Sequence, residues 1–113
     1  MPYIKTTTNV KIPAPTYECL KAEFAEAIEL FPGKSEAWLM VAFEDETPMY
    51  FKGSPDPCAM VEVNLFGSVQ PAAADAMSAR VCAFLGEELG IDPARIYIKY
   101  SGTENWGWNG HNF

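Results

Sequence analysis

The chain predicts an α/β (α+β) fold in which one β-α-β unit occurs twice, giving a four-stranded mixed sheet with two helices on one face and short edge strands beside it. Two observations and one general rule lead there. Strand-like and helix-like patterns run strand, helix, strand, and then repeat that order. The two halves, about 2–57 and 59–113, align at an offset of 57 residues, with Gly33-Lys-Ser-Glu-Ala37-Trp-Leu-Met on Gly90-Ile-Asp-Pro-Ala94-Arg-Ile-Tyr. A helical crossover makes the two strands of each unit parallel. A chain of 113 residues suits one such domain, 1–113.

The first element, Pro2 to Thr8, is rich in β-branched residues and reads as a strand. Val10-Lys-Ile-Pro-Ala-Pro15 reads as a loop, because Pro13 and Pro15 oppose both helix and central strand. Thr16 then serves as an N-cap for a helix whose apolar stripe is Tyr17, Leu20, Phe24, Ile28 and Phe31, and Pro32-Gly33 stops it. Ala37-Trp-Leu-Met-Val-Ala-Phe43 is an uninterrupted apolar run of strand length, the pattern of a strand covered on both faces. Met49-Tyr50-Phe51 suggests a short edge strand. From Met60 to Phe66 the pattern alternates, with Val61, Val63 and Leu65 on one face. Pro71 opens a second helix with Met77, Val81, Phe84 and Leu85 as its stripe, and Gly90 ends it. Arg95 to Tyr100 reads as the last long strand. With both helices on one face, the other face is bare, and the apolar residues expected there ask for cover by further copies of the chain.

Composition removes several function classes. A formal net charge of −7 does not suit a nucleic-acid surface or an anionic membrane, both of which want clustered Lys and Arg. The start, Met-Pro-Tyr-Ile-Lys, lacks a basic region followed by a long apolar run, so the expectation is synthesis in the cytoplasm, with room for secretion by a leaderless route. Cys19, Cys58 and Cys82 are an odd number at wide spacings, neither a disulfide framework nor a metal knuckle, and at least two are expected in the core. No metal or cofactor site is expected.

Few residues offer chemistry. Pro2 becomes a secondary amine once an initiator Met1 is trimmed, and burial plus a nearby cation would lower its pKa enough for general base work; with Met1 retained it is an amide without basicity. Lys34 could bind a carboxylate, or stand as an exposed lysine favoured at a helix C-terminus. The Gly33-Lys34-Ser35 triplet is not a phosphate loop, which needs glycine where Ile28 stands. Phe24, Phe31 and Phe84 belong to helix stripes and hence to the core. The tail pair Trp106-Gly-Trp108 has too little chain around it for ordinary core, and an interface or a ring-binding slot fits better. The lone His111 reads as a surface residue.

Met1-Pro2 opening a strand, Thr8-Asn9-Val10, Gly33-Lys34 before an apolar strand, Ser54-Pro-Asp-Pro-Cys58-Ala, Gly67, Pro93-Ala-Arg-Ile-Tyr-Ile98 and Asn105-Trp-Gly-Trp-Asn109-Gly with Phe113 together resemble the macrophage migration inhibitory factor family of the tautomerase superfamily, as a divergent member. The resemblance covers the whole chain. It implies a homotrimer with a site at each subunit interface and a cofactor-free keto–enol tautomerase acting on phenylpyruvate-type 2-oxo acids or dopachrome-type compounds. It implies that Pro2 is base and then acid, Lys34 pairs with the substrate carboxylate, and the Phe66 N–H adds a hydrogen bond. Tyr97 would come from the neighbouring subunit, while Trp38, Trp106, Trp108 and Phe113 would hold the ring. It also implies an alternative, a secreted cytokine-like protein that binds a host cell-surface receptor and keeps only weak or vestigial tautomerase activity. Five positions depart from the family pattern. Trp38 replaces tyrosine, Phe66 and Trp106 replace smaller aliphatics, and Lys99 replaces an asparagine and brings a second cation. Cys58 lacks the second cysteine of a Cys-x-x-Cys pair, which speaks against thiol–disulfide chemistry.

Overall fold

The computed structural model describes every residue from Met1 to Phe113. Its main elements are β1 (Pro2–Thr8), α1 (Ala14–Ala27), β2 (Met40–Glu44), β3 (Ala59–Phe66), α2 (Pro71–Leu89), β4 (Ile96–Thr103), β5 (Gly107–Trp108) and β6 (His111–Asn112). Strand order in the sheet is β2-β1-β3-β4. β1 pairs parallel with β2, β3 pairs parallel with β4, and β1 and β3 meet antiparallel at the centre. The 57-residue offset holds in three dimensions: the short helical turn Glu36–Trp38 before β2 has its counterpart in Pro93–Arg95 before β4.

Alternation sets which side is core. Ile4, Thr6 and Thr8 on β1 and Val61, Val63 and Leu65 on β3 are buried, and Ile4 with the three β3 residues shares one cluster with Leu20, Phe24 and Ile28 of the first helical segment and Met77, Val81 and Leu85 of α2. The rings of Phe24 and Phe84 meet edge to face at 4.9 Å, so the two helices touch each other as well as the sheet. No helix is long and apolar enough to cross a membrane.

Several expectations need correction. Helix α1 starts at Ala14, capped by Pro13 rather than Thr16, because Pro15 sits in the first turn, where a missing N–H costs nothing. It ends at Ala27 and tightens into a 3₁₀ turn over Ile28–Leu30. The apolar run from Ala37 is a strand only from Met40, and that strand lies at the sheet edge with half-buried and exposed residues rather than covered on both faces. Met49-Tyr50-Phe51 forms no strand. Phe51 and Ser54 bond to each other across a tight turn in which Lys52 (φ 53°) and Gly53 (φ 75°) are both left-handed, and Pro55 and Pro57 then deprive the returning arm of donors. Only Cys58 is buried, with Cys82 half-buried and Cys19 exposed.

The face away from the helices is also not the apolar surface expected. Lys5, Glu62 and Lys99 stand opposite one another on β1, β3 and β4, and Lys5 pairs with Glu44 at 3.4 Å. The large apolar side chains most exposed on this face lie on its outer strands, Met40 at 66% and Tyr97 at 61% exposure.

Candidate active site

Pro2 opens β1 and is buried, on the rung opposite Leu65. One residue on, the Phe66 N–H donates to the Met1 carbonyl at 3.0 Å. Lys34 reaches the same spot from the other side. After α1 the chain turns through Gly33 (φ 79°), the Lys34 N–H donates to the Phe31 carbonyl, and the Lys34 ammonium donates to the Phe66 carbonyl at 2.9 Å. Residues 32 positions apart are thus joined at the mouth of the N-terminal strand. Here burial, and after it the Lys34 charge, hold the Met1 amine below its ordinary value.

Beside this nitrogen lies a hollow of about 380 Å³ whose walls include Pro2, Tyr3, Trp38, Met40, Trp106 and Trp108. Trp38 and Trp108 meet edge to face at 5.2 Å and 83°, so one presents a flat face where the other presents an edge. Trp108 is held from behind by Phe113, stacked at 6.0 Å and 10°, and Phe113 leans on Phe66 at 5.4 Å. The tail achieves this with a hairpin: β5 and β6 turn through Asn109 (φ 53°) and Gly110 (φ 84°), and the Phe113 N–H bonds back to the Trp106 carbonyl. His111 is exposed, with its ring 6.3 Å from that of Trp108. Chemically the arrangement offers an apolar, aromatic-walled slot, one ammonium, one main-chain donor and a nitrogen that becomes basic when Met1 is lost. A hollow of similar volume at the other end of β1, between Lys11 and Tyr50, lies away from the chain's first residues.

Of the residues expected at the site, Pro2, Lys34, Phe66, Trp38, Trp106, Trp108 and Phe113 converge within one chain. Tyr97 and Lys99 do not. They lie on β4, at the sheet edge opposite β2, on rungs with Met60 and Glu62 that are well down the strand from Leu65. Tyr97 instead packs edge to face on Phe51 at 4.7 Å, and Arg95 lies over the same Phe51 ring. Sequence reading missed Met40 and Tyr3 as walls, and it missed the hairpin, although Asn-Gly is a strong short-range turn signal.

Comparison with known proteins gives the family. A family-wide sequence model described as "Macrophage migration inhibitory factor (MIF)" matches residues 1–113. The chain is similar to macrophage migration inhibitory factor of Meriones unguiculatus, 33% identical with 100% of this chain and 99% of the relative covered. It is also similar to D-dopachrome decarboxylase of Gallus gallus, 34% identical over 94% of this chain and 90% of the relative. Among solved structures, Leishmania major MIF2 superposes with a TM-score of 0.93 at 36% identity, covering 100% of this chain and 97% of that one. The chain therefore belongs to the macrophage migration inhibitory factor family.

Proposed function

We propose that the protein is a cofactor-free keto–enol tautomerase for phenylpyruvate-type 2-oxo acids, with the amine of Pro2 as acid–base catalyst after Met1 is removed. One observation carries the reading: the Phe66 N–H, beside the Lys34 ammonium, already holds one oxygen, the Met1 carbonyl, and this supports its holding a substrate carboxylate or enolate oxygen in the trimmed chain. Trimming Met1 frees the nitrogen and vacates that donor at once. The amine then takes a proton from the carbon next to the carbonyl, the enolate charge is met by Lys34 and the Phe66 N–H, and the same proton returns to oxygen. The reverse path is the same steps run backward. Dopachrome-type compounds fit the same slot, and kinship with a D-dopachrome decarboxylase supports that class.

The reading includes a homotrimer in which Tyr97 and Lys99 of a neighbouring copy approach this hollow. Their place on the far edge strand, with Tyr97 largely exposed, supports it. The test joins two measurements on one sample: the N-terminal mass and the rate of phenylpyruvate enol–keto exchange. Loss of Met1 together with turnover that Pro2→Gly abolishes in a folded protein is the expected result. Turnover with Met1 intact, or unchanged by Pro2→Gly, defeats the reading. A signalling role is the second reading, favoured by the relatives named for inhibiting macrophage migration. Binding of Pro2→Gly protein to an immune-receptor ectodomain tests it separately from catalysis.

A further inference from the structure

We propose that Arg95 is a positioning residue for Tyr97, setting that ring through Phe51 so that it meets the hollow of a neighbouring chain at a defined angle. This rests on the reading above, in which Tyr97 serves a neighbour's site. Arg95 closes the short helical turn just before β4. Its guanidinium donates only to main-chain carbonyls: Nε to Pro57 at 2.9 Å, Nη1 to Phe51 at 3.1 Å, and Nη2 to Ser54 at 3.0 Å and Asp56 at 3.1 Å. The planar fork spends its donors on one loop, 51–57, which a flexible ammonium with three donors on one atom cannot do from the same place. The same guanidinium carbon lies 5.2 Å over the Phe51 ring, a cation–π contact. Phe51 in turn carries Tyr97 edge to face, at 4.7 Å and 78°. Guanidinium, Phe51 and Tyr97 thus form one unbroken row of contacts, and its last member is largely exposed.

The internal repeat points the same way. At the 57-residue offset, Arg95 takes the place of Trp38 and Tyr97 that of Met40, two walls of the hollow beside Pro2. The counterpart of Pro2 is Ala59, which has no basic nitrogen, so the second half's end is not a second site. What it presents instead is an aromatic ring on a rigid mount. A loop staple alone would need the four carbonyl bonds but not the contact from guanidinium to Phe51 to Tyr97.

The experiment uses the full-length protein with its tyrosines replaced by 3-fluorotyrosine, the Tyr97 resonance being assigned from Tyr97→Phe. Two variants are compared with wild type. Arg95→Lys keeps the charge and loses the fork, while Phe51→Leu keeps the Arg95 bonds to the loop and removes the ring, which covers the case that Arg95→Lys does not fold. The expected result is a shifted or broadened Tyr97 resonance in both, with KM for phenylpyruvate up about five- to tenfold at nearly constant kcat. Arg95→Lys combined with Tyr97→Ala should be no worse than Tyr97→Ala alone. An unmoved resonance, an unchanged KM with only a lowered melting temperature, or additive losses in the double variant overturns the inference. If wild type itself shows no turnover, the tautomerase reading and this role fall together; an unmoved resonance in an active enzyme removes the role alone.

Discussion

The Lys34 ammonium and the Phe66 main chain form a clasp: the side chain of one donates to the carbonyl of the other at 2.9 Å, while the N–H of Phe66 faces the chain's first residue. The positive charge and the amide donor are thereby placed on the same side of the nitrogen that Pro2 would expose.

Lys34→Ala should raise KM for 2-oxo acids about tenfold or more, the loss of one charge-assisted hydrogen bond. It should also move the pH profile. The amine is a base only when unprotonated, so kcat/KM climbs as pH rises through its pKa. Lys34 lowers the amine of Met1, and the same charge acts on Pro2 once Pro2 is the terminus. Removing it shifts the rising limb to higher pH, with the loss largest on the acid side. Lys99→Ala should move the limb the same way if a neighbour's Lys99 approaches. Steady-state rates between pH 5 and 9 decide both, and a limb that stays put contradicts them.

Trp108→Ala removes the ring that joins Trp38 to Phe113 and so takes away one wall of the slot. Binding of the substrate ring should weaken about tenfold, from lost aromatic contact. Because Trp108 is nearly half exposed, the melting temperature should fall by no more than a few degrees. A large drop in stability with binding intact would assign the residue to folding instead.

Gly102→Ala tests how Phe66 is held. A Cβ at Gly102 would overlap the Gly67 carbonyl oxygen, and the Gly67 N–H bonds to the Thr103 carbonyl at 2.8 Å. The turn after β3 must move away, at a cost of about 1–3 kcal/mol. Since Gly67 follows Phe66, activity should fall together with stability in chemical denaturation. Full activity in a destabilised variant would show that the turn can shift without moving Phe66.

Thr6→Val should stabilise the protein by about 1 kcal/mol. The Thr6 hydroxyl is buried at the centre of the sheet with no hydrogen-bond partner, and valine fills the same shape without an unmet polar group. A midpoint of urea unfolding that drops instead would mean the hydroxyl is satisfied by water.

The helices were readable because their stripes are buried on a 3.6-residue period, as Leu20, Phe24 and Ile28 show. β3 was readable from its alternation, and α2 from Pro71 and Gly90 at its ends. The apolar run at Ala37 misled for a physical reason. Trp38 is apolar but about half exposed in the chain and Met40 largely so, and hydrophobicity alone does not distinguish a residue that faces core from one that faces a slot. The middle of the bare face was hidden because Lys5, Glu62 and Lys99 become a row only when three strands set their register. At the site, Pro2, Lys34 and the Trp106–Trp108 pair were singled out by their own chemistry, while the parts given to Phe66, Trp38 and Phe113 came from family resemblance. Contacts such as Lys34 with Phe66, or Arg95 with the loop at Phe51, join positions 32 and 44 apart, beyond what local pattern can report.

Every parallel rung of the sheet joins residues 37 positions apart, as in Tyr3 with Met40 and Met60 with Tyr97, and the central antiparallel rungs span more. Such a sheet closes slowly, because long loops must be ordered before any pairing rewards them. While the chain is still emerging from the ribosome, Phe66 and the Trp106–Trp108 tail do not yet exist, and Met1 lies open to an aminopeptidase. Once the tail arrives, Met1 is half enclosed in the hollow. On the proposed reading, removal of the methionine therefore belongs to synthesis, and a chain that folds untrimmed would carry its own first residue as a lasting obstruction.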